Sequence, residues 1–153
     1  MSICLIDTSV FCNVIRVPNR DQYHTDVITQ LRQLITERTT LLLPMAAVVE
    51  TGNHIAQNGN GAERRRAAER FVSEVTAAID GHTPWTPTPF FEMVSIQSWL
   101  AEFPDRAMGG LGLGDLTIVK EWERQCALHR GRRVFIWSLD GHLGVFDRAP
   151  ELV

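Results

Sequence analysis

The sequence predicts an α/β protein in which helices cover a parallel β-sheet. Short apolar runs that are typical of buried strands alternate with amphipathic segments of helical periodicity, and this alternation favours βαβ units. The first run opens the stretch Ile3–Val10 (ICLIDTSV) and suits a central strand that is buried on both faces. No repeat, low-complexity segment or linker interrupts the chain, so we expect a single domain over residues 1–153.

Hydrophobic periodicity predicts two strands and four helices in the first half of the chain. The strands are the initial run and Thr40–Leu43, which Pro44 closes. The helices are Phe11–Val17, His24–Arg38, Met45–Gln57 and Ala62–Asp80. In the third of these helices the predicted inward stripe comprises Met45, Val48, Val49, Gly52, Ile55 and Ala56. In the fourth it comprises Ala68, Phe71, Val72, Val75, Ala78 and Ile79.

The second half of the chain predicts two helices and further strands. Trp85 and Thr86 can form a brief edge strand, where the surrounding prolines are tolerated. The remaining elements are a helix Phe91–Phe103 that stops before Pro104, a glycine-rich loop Arg106–Gly114, a helix Asp115–His129 and a strand Arg133–Leu139. The tail Gly141–Val153 has room for a last strand or turn.

Composition narrows the class and location of the protein. Hydrophobic residues make up 44% and charged residues 22% of the 153, as in ordinary soluble domains. No apolar stretch approaches the ~20 residues that span a bilayer, and no basic segment precedes the first apolar run as in a signal peptide. The three cysteines lack disulfide or zinc spacing, so we expect reduced thiols in a cytoplasmic protein. The net charge of −3 leaves nucleic acid open as a partner.

Acidic residues end both of the strongest predicted strands. Asp7 ends the first strand and Asp140 the last. If both strands are parallel and central, these carboxylates lie at the carboxyl edge of the sheet, where open α/β sheets bind their ligands. Taken alone, Asp7 is equally well explained as the N-cap of the following helix. A functional interpretation therefore depends on whether other carboxylates reach the same edge.

Two further acidic residues lie on predicted helices. Asp115 shares an inward stripe with Val119 and Trp122, and a core-facing carboxylate is costly unless it is paired or binds a cation. The alternative is a first-turn acid that the helix dipole favours. Glu50 lies nearly opposite the predicted apolar stripe of its helix, where a solvated surface glutamate is the ordinary interpretation. Its position shortly after Pro44 nevertheless allows it to reach the same edge.

Several carboxylates in one cleft repel one another, and a divalent cation neutralises that repulsion. Oxygen ligands of this kind favour Mg²⁺ or Mn²⁺ over zinc. The chemistry typical of such a site is metal-assisted phosphoryl transfer, in which the metal lowers the pKa of a bound water. The residues therefore indicate this functional class before any family is considered.

Four segments of the sequence resemble the motifs of the PIN-domain family. They are Asp7-Thr8-Ser9, Met45–Asn53 (MAAVVETGN), Gly112–Asp115 (GLGD) and Ser138-Leu139-Asp140, in the family's order and over nearly the whole length. The closest likeness is to the VapC-like toxin ribonucleases of bacterial toxin–antitoxin pairs. The resemblance implies a three-layer α/β/α sandwich with a central parallel sheet, here of four or five strands.

The resemblance also implies an activity and assigns its residues. The activity is hydrolysis of RNA phosphodiester bonds by an Mg²⁺- or Mn²⁺-dependent endoribonuclease, which leaves a 5′-phosphate and a 3′-hydroxyl. The family's four acids fall on Asp7, Glu50, Asp115 and Asp140. By resemblance the three aspartates are metal ligands, and the glutamate is a ligand through water or a proton-handling group. Ser9 and Ser138 match supporting hydroxyl positions, although threonine is more usual at the second.

The expected partners follow from the same resemblance. They are an RNA substrate, a cognate antitoxin protein that blocks the acidic cleft, and a second copy of the chain in a homodimer. The alternative function is a non-catalytic PIN-like scaffold that binds RNA or protein without cutting.

Other signals in the sequence are weaker. The Gly110–Gly114 run lacks the spacing of a dinucleotide site and follows no strand. An aspartyl-phosphate role for Asp7 would need a second aspartate where Ser9 stands. The arginine cluster Arg64–Arg70 either neutralises RNA phosphates or forms a solvated helix face. Asp147 can join the site or terminate the last turn, and we favour the surface interpretation.

Overall fold

A computed structural model of the protein describes residues 1–152, in which six helices and five strands make a mixed α/β fold. The strands are β1 (Ile3–Ile6), β2 (Thr40–Leu43), β3 (Trp85–Pro87), β4 (Val134–Trp137) and β5 (Asp147–Arg148). The helices are α1 (Thr8–Ile15), α2 (His24–Thr36), α3 (Met45–Gln57), α4 (Gly61–Ile79), α5 (Met93–Met108) and α6 (Leu113–Leu128). The predicted α/β class is confirmed.

The five strands form one sheet in the order β3-β2-β1-β4-β5. The first four strands are parallel to one another, and β5 pairs antiparallel with β4, so the sheet is mostly rather than wholly parallel. Every residue of β1 and β4 is buried, which means that both faces of the central strands are covered. This arrangement is compatible with three layers, α/β/α. The edge strand predicted at Trp85 and Thr86 is confirmed and extends to Pro87, at an edge where proline is tolerated.

The register of the two central strands positions the candidate site. Ile6 at the end of β1 lies beside Trp137 at the end of β4. The backbone N–H of Asp7 then donates to the Trp137 carbonyl at 3.0 Å. The residues that follow the two strands, Asp7 and Ser138, therefore meet at the carboxyl edge of the sheet.

Several predicted element ends differ from the observed ones. Helix α1 begins at Thr8 rather than Phe11, because Asp7 caps it directly after β1. Helix α5 continues through Pro104, where ion pairs from Lys120 and Arg106 to Glu102 hold the helix on both sides of the proline. The predicted glycine-rich loop 106–114 consequently shrinks to residues 109–112.

The last predicted strand is longer than the observed one, so Asp140 lies beyond the end of the strand. Strand β4 ends at Trp137, and Asp140 lies in the turn that follows it. The chain leaves the ladder here because the backbone N–H of Leu139 donates to Ser9 Oγ rather than to a neighbouring strand. Asp140 remains at the carboxyl edge, although it does not end a strand.

The predicted inward faces of two helices were partly wrong. In α3, Val49 is 49% exposed and Ala56 is exposed, whereas Thr51 is buried. Helix α3 packs against α1, α4 and α6, and those three contacts decide which of its faces is covered. In α4, Val72 and Ile79 are exposed. The face of α3 that reaches the interior therefore includes positions next to Glu50.

No helix among residues 1–152 combines the length and the apolar content that a membrane span requires.

Candidate active site

Asp7 is the buried acidic residue of the candidate site, with 4% of its surface exposed. Its Oδ2 accepts hydrogen bonds from Ser138 Oγ at 2.7 Å and Ser9 Oγ at 2.8 Å. Its Oδ1 is buried and has no hydrogen-bond partner among the described residues. An unpartnered buried carboxylate oxygen is costly, so Oδ1 is suited to accept a ligand. Asp7 is thus an N-cap and a candidate ligand at once.

The hydroxyls of Ser9 and Ser138 connect the ends of β1 and β4. Each donates to Asp7 and accepts a backbone N–H from the loop after β4, Leu139 to Ser9 and Asp140 to Ser138, both at 2.9 Å. These bonds fix the orientation of the Asp7 carboxyl and hold Asp140 close to it. The structure therefore places both supporting residues in contact with Asp7.

Glu50 reaches the same edge from α3. The Thr8 hydroxyl donates to Glu50 Oε2 at 2.9 Å, so a residue next to Asp7 fixes the glutamate. Gly114, in the first turn of α6, leaves space for this carboxyl, because a Cβ built on Gly114 would lie only 2.7 Å from Glu50 Cδ. The glycine of the GLGD segment thus allows α6 to approach Glu50 closely. Of the two interpretations that the sequence leaves open, the structure agrees with the one in which Glu50 reaches the edge of the sheet, since it is partly buried and lines the same cavity as Asp7.

Asp115 faces the other three carboxylates from the first turn of α6. It is partly buried, and its pKa is raised from 3.8 to about 6. Burial is the largest cause, followed by the negative charges of Asp7, Glu50 and Asp140. This electrostatic coupling indicates that the four predicted acids share one neighbourhood.

One cavity of about 280 Å³ is lined by all four acids. Among the ion pairs of the described residues, none includes a carboxylate of this cavity. The cavity therefore concentrates negative charge that no basic side chain neutralises through a direct contact. Arg20 and His54 are the basic side chains on its wall.

The carboxylate oxygens of the cavity are ligands that a hard divalent cation prefers. As placed, however, these side chains do not form a complete metal-binding group. Carboxylate oxygens without cationic partners are typical of Mg²⁺ and Mn²⁺ sites, and Asp7 Oδ1 has no hydrogen-bond partner among the described residues. However, no three His, Cys, Asp or Glu side chains within residues 1–152 form a group that could hold a metal as placed. The residues that would hold such a cation are Asp7, Asp115 and the exposed Asp140, with Glu50 beside them.

Two other sets of predicted residues lie outside this cavity. Asp147, on β5, forms a two-fold hydrogen-bonded ion pair with Arg133 at 2.7 and 2.9 Å, in agreement with its surface interpretation. In the arginine cluster, Arg70 donates to the carbonyls of Ile15 and Arg16 and so joins α4 to α1. No member of the cluster lines the cavity.

Sequence reasoning missed several residues of the cavity wall, which are Thr8, Cys12, Asn13, Arg20, Gln22, Tyr23 and His54. Thr8 could have been found as the hydroxyl next to Asp7. His54 shares a helix face with Glu50, one turn later. Burial lowers the pKa of His54, and the nearby Arg20 charge lowers it further.

Comparisons of the chain with protein-family models, with curated proteins and with solved structures found no match.

Proposed function

We propose that the protein is a divalent-metal-dependent endoribonuclease with a PIN-like fold and that the acidic cavity is its active site. The single observation that carries this proposal is that four carboxylates, none of them ion-paired within residues 1–152, line one cavity, and that one of them, Asp7, has a buried oxygen without a hydrogen-bond partner. These are the acids that the sequence motifs single out. A nuclease needs such a cavity because it must bring a polyanionic phosphodiester to a cation.

In this proposal the acidic residues divide the roles of metal ligand and proton acceptor between them. Asp7, fixed through Ser9 and Ser138, presents Oδ1 as the anchoring ligand. Asp115 and Asp140 complete the ligand set from the start of α6 and from the turn after β4. When bound, the cation lowers the pKa of a ligated water and neutralises charge on the phosphate.

Glu50 is the proposed proton-handling group. Its Oε2 accepts a hydrogen bond from the Thr8 hydroxyl, and no donor among residues 1–152 binds its Oε1. The residue is only partly buried, so it can exchange a proton with solvent. Glu50 would accept a proton from the attacking water, and hydrolysis then proceeds without a covalent protein intermediate.

The biological setting that we propose is the toxin of a type II toxin–antitoxin pair. Its support is the resemblance of the four sequence motifs to those of toxin ribonucleases. A homodimer and an antitoxin protein that blocks the cavity belong to the same proposal.

Cleavage of labelled structured RNAs tests the enzymatic proposal. Purified protein is incubated with Mg²⁺, with Mn²⁺ and with EDTA, and the Asp7→Asn variant is compared with Asp147→Asn. The second variant makes the same chemical change at an aspartate that is paired with Arg133 outside the cavity. We expect metal-dependent cutting by the wild type and by Asp147→Asn, and none by Asp7→Asn or in EDTA.

Two outcomes would contradict this proposal. Cutting that survives in Asp7→Asn would place the activity elsewhere or in a contaminant. RNA binding without cutting by any preparation, across a panel that includes tRNAs, would favour the non-catalytic scaffold.

A further inference from the structure

A short loop between α1 and α2 forms one wall of the acidic cavity. We call residues 16–23 the rim loop. Three of its side chains, Arg20, Gln22 and Tyr23, line the cavity together with the four acids. None of these three side chains has a role in the proposed hydrolysis.

The rim loop is tied to the helix that follows Asp7. The buried Asn13 accepts a hydrogen bond from the Tyr23 backbone N–H through Oδ1 at 2.9 Å, and its Nδ2 donates to the Ser9 carbonyl at 2.9 Å. An ion pair between Arg16 and Asp21 at 3.2 Å closes the loop on itself. These contacts hold the loop in a fixed position relative to Asp7, as a binding wall requires.

Arg20 is a cation on this wall that no acid neutralises directly. It is exposed, and it takes part in none of the ion pairs of residues 1–152, although four carboxylates line the same cavity. Its charge nevertheless reaches the cavity, since it lowers the pKa of His54. A guanidinium without a carboxylate partner is free to bind a phosphate oxygen through two hydrogen bonds.

Tyr23 is the single tyrosine of the chain and is 57% exposed. Buried aromatic rings such as Phe11 and Trp85 pack against each other in the core, whereas the Tyr23 ring takes part in no aromatic pair of the described residues. An exposed aromatic ring next to a cation is the usual platform on which a base of single-stranded RNA stacks.

We infer that the rim loop is a nucleotide-binding subsite for single-stranded RNA, in which Arg20 binds a backbone phosphate and Tyr23 stacks on a base. The subsite would hold a nucleotide that neighbours the scissile phosphodiester. A duplex would not use Tyr23, because its bases are already stacked on one another. The identification of RNA as the ligand rests on the proposed nuclease function.

Binding of RNA without cleavage tests this inference. The Asp115→Asn variant serves as the parent, because it is expected to cut slowly and to repel RNA less. The anisotropy of a fluorescein-labelled single-stranded oligoribonucleotide, and of the same strand in a duplex, is measured at several salt concentrations. The parent is compared with versions that also carry Tyr23→Ala, Tyr23→Phe, Arg20→Gln or, as a matched control, Arg38→Gln. Arg38 is exposed and precedes β2 at the opposite edge of the sheet.

We expect Tyr23→Ala to weaken binding of the single strand about tenfold and to leave duplex binding unchanged, whereas Tyr23→Phe keeps the platform and binds as the parent does. Arg20→Gln should weaken binding of both RNAs and lower the salt slope by about one, while Arg38→Gln changes neither. Circular dichroism of each variant verifies that it is folded.

The outcomes separate this inference from the nuclease proposal. If the wild type cuts RNA but Tyr23→Ala and Arg20→Gln bind as the parent does, the subsite is wrong and the nuclease stands. If those variants lose affinity but the wild type never cuts, the subsite stands and the hydrolytic function is wrong. If the parent binds no RNA at all, the subsite is overturned.

Discussion

The charged residues at the two edges of the sheet differ in whether they have partners. At the amino edge, Arg133 binds Asp147 through two hydrogen bonds and lies 4.3 Å from the centre of the Phe135 ring. Arg132 donates to two carbonyls and a hydroxyl of the neighbouring chain segments. At the carboxyl edge, four carboxylates share a cavity, and none forms an ion pair within the described residues.

This difference separates charges that stabilise the fold from charges that lower its stability. At the amino edge Arg132 donates to backbone carbonyls next to β1, and Arg133 pairs with the carboxylate of Asp147. The carboxylates of the opposite edge raise one another's free energy, as the raised pKa of Asp115 indicates. A protein retains such a cluster most readily where a ligand compensates for it. The comparison therefore points to the carboxyl edge as the functional one.

The largest expected contrast is between the same substitution at the two edges. Asp115→Asn should lower the rate of RNA cleavage by about 10³-fold, because a metal ligand supplies several kcal/mol of transition-state stabilisation. It should not lower the thermal stability of the metal-free protein, because it removes a repelled carboxylate. Cleavage kinetics and thermal melts in EDTA measure the two effects.

Asp147→Asn is the control for this contrast. It should leave the cleavage rate within about twofold and cost about 0.2–1 kcal/mol of stability, as is usual for an exposed ion pair. Equal losses of activity in both variants would remove the functional distinction between the edges.

The next largest effect on cleavage is expected from substitution of a glycine at the start of α6. Gly114→Ala should reduce cleavage by about 10- to 100-fold, because the new Cβ displaces the Glu50 carboxyl. Its stability should change little, since only the end of a flexible side chain has to move. Gly112→Ala is the matched control, because a Cβ there meets no atom within 4 Å. If the two variants had the same activity, the position of Glu50 would not matter to the reaction.

The Ser138 hydroxyl is expected to have a smaller effect. Ser138→Ala removes the donor to Asp7 Oδ2 and the acceptor for the Asp140 N–H, so it should lower cleavage about tenfold and cost about 1–2 kcal/mol of stability. Ser138→Thr keeps the hydroxyl and should retain most of the activity. Activity of Ser138→Ala equal to that of the wild type would mean that Asp7 needs no such support.

The last expected effect concerns stability alone, through its dependence on pH. The pKa of Asp115 is raised to about 6 in the folded protein, so between about pH 4 and 6 the folded state binds more protons than the unfolded state. The metal-free protein should therefore lose stability as the pH rises through this range, and Asp115→Asn should lose less. Melting temperatures in EDTA at pH 4.5 to 7.5 measure this difference. A steeper loss in the variant would contradict the assignment.

The sequence predicted the part of the site that strand ends determine. Asp7 directly follows an apolar run that suits a buried strand, and Asp140 lies in the turn shortly after another. Asp115 was found because an inward-facing carboxylate at the start of a helix is conspicuous. Such residues depend on local periodicity, which a sequence displays directly.

The remainder of the site depends on long-range geometry. The exposed Val49 and the buried Thr51 reveal a rotation of α3 that three neighbouring helices impose, and no local pattern encodes it. Arg20 and Tyr23 lie on a loop without periodicity, and contacts such as the hydrogen bond from Tyr23 to Asn13 bring them to the cavity. The continuation of α5 through Pro104 likewise follows contacts with another helix.

Binding of Mn²⁺ tests most directly whether the carboxyl edge is a cation site. The electron paramagnetic resonance signal measures the concentration of free Mn²⁺. A titration near neutral pH therefore gives the affinity of Mn²⁺ for the wild type, for Asp7→Asn and for Asp147→Asn. We predict that Asp7→Asn weakens binding at least about tenfold, since it removes the anchoring oxygen, and that Asp147→Asn binds as the wild type does. Equal affinities in all three proteins, or no Mn²⁺ binding by the wild type, would contradict the account.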